Sequence, residues 1–70
     1  MRNEVRDSII SFKNKGWCEV GTANNLKAVM DHLLAIYGIQ EIDITYSESA
    51  KMKPYMTWHL QLNNFNKAFN

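Results

Sequence analysis

The period of the hydrophobic pattern changes once along the chain, and that change sets the fold class. Leu26, Val29, Met30, Leu33, Ile36 and Tyr37 recur at the spacing of one helix face, with Leu34 at the edge of the stripe. Thr22 offers an N-cap to this helix and Gly38 ends it. Beyond Gly38 the apolar residues alternate instead. In Ile39 to Tyr46, the residues Ile42, Ile44 and Tyr46 alternate with Glu41, Asp43 and Thr45. In Met56 to Leu62, the residues Met56, Trp58, Leu60 and Leu62 alternate with Thr57, His59 and Gln61. A period of two with one polar face describes two strands, each wet on one side. Their connection, Ser47 to Tyr55, is too long for a two-residue hairpin and holds the single proline, Pro54, so it reads as a projecting loop.

The first third of the chain completes the pattern. Val5, Ile9 and Phe12 stand at i, i+4 and i+7, which predicts a helix from Asn3 to Lys15 with one core-facing stripe. Glu4 and Asp7 lie near its positive end, Lys13 and Lys15 near its negative end, and Gly16 can close it in the left-handed conformation. Ile10 falls off the stripe, between Arg6 and Lys13. Trp17 to Val20, bounded by Gly16 and Gly21, predicts a short strand. Phe65 and Phe69, four apart around Ala68, predict a C-terminal helical turn docked on the core. The order is α-β-α-β-β with that turn at the end. A βαβ crossover makes the first two strands parallel, and the third then pairs antiparallel with its sequence neighbour. The alternation supplies one apolar sheet face, so both helices must cover it. The expected fold is an α+β two-layer sandwich, two helices on one face of a three-stranded sheet, with residues 1–70 forming one domain.

Composition agrees with a small folded domain. Seventy residues, 46% of them apolar and 21% charged, can bury about 60% of the extended chain's surface. The longest apolar run, Leu33 to Tyr37, falls far short of the roughly 20 residues that cross a bilayer, so no membrane partner is expected. The net charge of +1 is too small to draw the whole chain onto a polyanion. Its distribution is uneven. Residues 19–48 hold Lys27 against Glu19, Asp31, Glu41, Asp43 and Glu48, a net −4, whereas residues 49–70 hold Lys51, Lys53 and Lys67 with no acid, a net +3. The single cysteine, Cys18, excludes an intrachain disulfide and points to a reducing, cytoplasmic setting.

No motif for catalysis stands out. One cysteine and two distant histidines do not supply a zinc site, the glycines Gly16, Gly21 and Gly38 form no phosphate loop, and no cofactor is expected. If Ile44 pairs with Trp58, Asp43 lies opposite His59 and Glu41 opposite Gln61, a carboxylate beside an imidazole on the wet face. The loop holds Lys51, Met52, Lys53 and Tyr55, cations around a flexible apolar residue with an aromatic following, a composition suited to a protein surface or to single-stranded nucleic acid. Expected partner-binding residues are therefore Lys51, Met52, Lys53, Tyr55, His59 and Asp43, with a secondary surface of Ile10, Lys13, Lys27 and Asp31. Ile10 and the outer strip of Ala28 and Ala35 are where a second copy would pack in a homodimer.

From Lys27 to Leu62, a helix, a glycine, an alternating strand, a polar loop and a second alternating strand resemble the small single-stranded nucleic-acid-binding module named for its Arg-x-x-x-His signature. Lys27 and Asp31 occupy the two signature positions, so the resemblance implies the layout and carries no functional residue. The expected function is non-catalytic binding of a macromolecule. A protein-binding inhibitor or adaptor of the kind encoded by phages and mobile elements is favoured by size, by the eight asparagines and by the lack of catalytic motifs. A single-stranded nucleic-acid-binding module is the alternative.

Overall fold

A computed structural model of the chain describes residues 3–48 and 57–69. Its elements run α1 (Asn3–Lys15), β1 (Trp17–Gly21), α2 (Ala23–His32), a π-helical turn (Leu33–Tyr37), a 3-10 turn (Glu41–Asp43), β2 (Ile44–Glu48), β3 (Thr57–Leu62) and α3 (Phe65–Ala68). The fold is the expected α+β sandwich. Val5, Ile9 and Phe12 of α1 and Val29 of α2 form one core with Leu33 of the π turn, and the sheet adds Cys18, Val20, Ile44, Leu60 and Leu62. These sheet residues all point to one face, so both helices cover the same side.

The strand directions are those expected, β1 and β2 parallel and β3 antiparallel to its sequence neighbour β2. β3 lies between β1 and β2, antiparallel to both, so the two parallel strands are separated by the third. The register is not the one that sets Ile44 opposite Trp58. Ile44 pairs with Leu62, Tyr46 with Leu60 and Ser47 with His59. Asp43 therefore does not face His59; its carbonyl accepts from the Asn63 N–H at 2.9 Å instead. A slip by an even number of residues keeps every side chain on its own face, so the hydrophobic pattern cannot choose between such registers.

Ile42 is the clearest departure from alternation. Asp43 Oδ2 accepts from the Gln40 N–H at 2.8 Å, and the Asp43 N–H reaches the Gln40 carbonyl at 2.9 Å. That local closure bends residues 41–43 into the 3-10 turn, and Ile42, expected on the core face, is 85% exposed. Ile36 departs for a different reason. In the π turn the backbone is wider than in an α-helix, which stacks Tyr37 rather than Ile36 over Leu33, and Ile36 is 61% exposed. Ala28, expected on an open strip, is half-buried against the core, whereas Ala35 is exposed.

Candidate functional site

Two surfaces bring chemistry-bearing side chains together. The first is the sheet face away from the helices. Trp17 and Glu19 project there because Cys18 and Val20 face the core, and His59 and Gln61 do so because Leu60 and Leu62 are buried. Trp17 and His59 are diagonal neighbours across β1 and β3, and their rings stack at 5.4 Å between centroids with 22° between planes. The Lys15 ammonium sits 5.2 Å from the centre of the Trp17 ring. Glu19, not Asp43, is the acid directly across from His59, and Ser47 stands on its other side.

The second surface lies where α2, the π turn and the 3-10 turn meet β2. Leu34, Ile36 and Ile42 are 53%, 61% and 85% exposed, and all three come from residues 34–42. Of these, Leu34 lines an open pocket of about 250 Å³, together with Met30, Ile39 and the acids Asp31 and Glu41. The Tyr46 hydroxyl donates to Met30 Sδ at 3.6 Å, which ties this pocket to β2. Burial raises the Tyr46 phenol above its ordinary value, and the negative charge of Glu41 raises it further.

The expected site residues do not converge. Lys51, Met52, Lys53 and Tyr55 lie outside the described residues. His59 is on the open sheet face, while Asp43 caps the 3-10 turn and lines a cleft of about 330 Å³ with Tyr37, Asn63 and Lys67. Ile10 is 48% exposed on α1, and Lys13 lies 5.6 Å from the centre of the Tyr37 ring. Lys27 and Asp31 pair with each other at 3.0 Å on the exposed side of α2. Trp17, Ile36 and Ile42 were not among the expected residues. The alternation of Trp17, Cys18, Glu19 and Val20 is a signal that places the tryptophan on the open face, and Gln40 with Asp43 three residues on is a capping pattern that exposes Ile42.

Cys18 is buried, and its thiol is pushed up to about 12, chiefly by loss of hydration, with a smaller opposing effect of a Ser8 hydrogen bond and a further rise from Glu19. Such a thiol is protonated at neutral pH and is a poor nucleophile. No group of three or more His, Cys, Asp or Glu among the described residues could hold a metal ion, and no helix among them is long and apolar enough to cross a membrane. In comparisons with known proteins, the chain matches no family model, no curated protein and no solved structure.

Proposed function

We propose that the protein acts by binding a macromolecule without catalysing a reaction, and that its partner is a protein, in the manner of a small inhibitor or adaptor from a phage or mobile element. The observation that carries this reading is the exposure of Leu34, Ile36 and Ile42 within residues 34–42. Single exposed apolar residues are ordinary, but three large ones within residues 34–42, with Asp31 and Glu41 lining the pocket at Leu34, have the composition of an interface. The test is affinity capture from lysate with the wild-type chain and with a double variant, Ile36→Asp with Ile42→Asp, each with and without nuclease. Both positions are exposed, so the variant keeps its fold and its melting temperature. A protein partner is retained after nuclease and lost with the double variant. Recovery that vanishes with nuclease, or that ignores both substitutions, sinks the reading.

The open sheet face favours a second reading, a single-stranded nucleic-acid binder. Trp17 and His59 offer stacked aromatic rings, and Lys15 adds a cation beside them. This reading predicts quenching of tryptophan fluorescence by an oligothymidylate, abolished by Trp17→Ala. Its affinity should fall with salt at a log-log slope of about 0.7 per phosphate contacted.

A further inference from the structure

The two outer edges of the sheet are not equivalent. On β1, α1 reaches over the edge: Ser11 Oγ donates to the Trp17 carbonyl at 2.6 Å, and Glu4 Oε1 accepts from the Gly21 N–H at 3.0 Å. Both ends of that edge are therefore occupied by side chains of the same chain. On β2 the situation is different. The Asn63 N–H bonds the Asp43 carbonyl, which sets the main-chain groups of Asp43, Thr45 and Ser47 toward β3 and those of Ile44, Tyr46 and Glu48 outward. The Ile44 N–H is taken by the Glu41 carbonyl. Among the described residues nothing takes the Ile44 carbonyl, either main-chain group of Tyr46, or the Glu48 N–H. A row of unpaired donors and acceptors is a template for another strand.

The pocket beside this edge says what such a strand would carry. Its apolar residues Met30, Leu34 and Ile39 suit an aliphatic stem, and the carboxylates of Asp31 and Glu41 suit a cation at the end of that stem. Asp31 shares its charge with Lys27, while Glu41 has no cationic partner among the described residues. Ile44 and Tyr46 point to the helix face of β2, and Tyr46 touches Met30. A strand added alongside would send its own helix-face side chains toward the same pocket. A second copy of this chain fits poorly, because it would set the acidic flank of Asp31, Glu41 and Glu48 against itself.

We infer that the β2 edge binds an extended segment of a protein partner as a fourth strand, with a Lys or Arg side chain of that segment seated between Met30, Leu34, Asp31 and Glu41. This rests on the protein-binding reading above and adds the mode and charge of the contact.

The probe is a peptide of alternating pattern, acetyl-Thr-Val-Thr-Lys-Thr-Val-Thr-amide, titrated into the isotopically labelled full chain and followed by NMR. The expected result is saturable shifts of the Tyr46 and Glu48 amides and of the Met30 and Leu34 methyls. Glu in place of the peptide's Lys should weaken binding about ten-fold, and Glu41→Gln should weaken the Lys peptide about five-fold while leaving a norleucine peptide unchanged. The inference is overturned by shifts confined to β1 or absent, or by equal binding of the Lys and Glu peptides. It is also overturned if the Tyr46 amide shifts with protein concentration alone, which would assign the edge to a second copy. The capture experiment rests on Ile36 and Ile42, which do not line the pocket. A chain that captures a protein through them yet ignores the peptide fails this inference only.

Discussion

Gly16 and Phe65 lie so close that a Cβ on the glycine would stand 2.8 Å from Cγ of the ring. Gly16 closes α1 with a φ of +81°, and the ring of α3 rests on the bare backbone there. Gly38 also has a positive φ, +68°, but no atom lies within 4 Å of the place its Cβ would take. The two positions thus separate conformational cost from contact cost. Gly38→Ala should lose about 1 kcal/mol, the cost of the left-handed conformation alone, and Gly16→Ala about 3 kcal/mol because the ring must also move. Thermal unfolding of both variants checks the order; equal losses would show that Phe65 does not hold its place.

Glu4 ties three elements together. Its carboxylate takes the Gly21 N–H at the end of β1 and, at 2.8 Å, the Nδ2 of Asn25 in α2, whose side chain is buried. Glu4→Ala should cost about 2 kcal/mol, since it strands the buried amide. Glu4→Gln should cost about half as much: a flip of the Asn25 amide lets the glutamine donate to Asn25 Oδ1, which is buried without a partner in the native chain. Denaturant midpoints of the two variants provide the comparison.

The Cys18 thiol gives a pH signature. Its folded-state value of about 12 exceeds the ordinary 9.0, so the folded chain keeps a proton that the unfolded chain releases. Stability from this group is complete below pH 9 and is lost as pH rises toward 12. Cys18→Ala lacks that loss. The stability gap between wild type and Cys18→Ala should therefore narrow across this window, and a gap that stays constant would show that the thiol titrates normally.

Asp43 is a capping residue of the 3-10 turn, and His59 lies on the other side of the sheet from the core with Glu19 and Ser47 as its neighbours. Asp43→Ala should lower stability by about 1 kcal/mol, as loss of a cap does, and leave the His59 ring resonances in place. A clear shift of those resonances would mean that the two residues communicate after all.

Much of the architecture was legible because single physical signals determine it. Val5, Ile9 and Phe12 with Gly16 define α1 to the residue, and Ile44 with Leu60 and Leu62 locates the helix-facing side of the sheet. Three features were not. The run from Leu33 to Tyr37 reads equally well as α-helix, so the wider turn that expels Ile36 leaves no mark on the pattern. At Ile42, alternation and capping compete over the same residues, and the short-range hydrogen bonds of Gln40 and Asp43 win. The register and the central place of β3 depend on pairing between distant segments, which local spacing does not encode. For the site, the alternation that places Trp17 on the open face was available, while the pocket at Glu41 follows from the turn that the pattern concealed.

The central place of β3 also has a temporal side. β1 and β2 have no hydrogen-bonded contact with each other, and each finds its mate only in residues 57–62. During synthesis, the two earlier strands emerge with nothing to pair with, and the stripes of α1 and α2 have half a core to bury against. Assembly then waits for a segment that must insert between two others already made, closing contacts such as Trp17 with Gln61 late and together. Such long-range closure slows folding and leaves little room for a stable half-built form. A nascent chain halted before Thr57 should hence remain open to proteolysis and to chaperones, and should acquire resistance in one step once Leu62 is free.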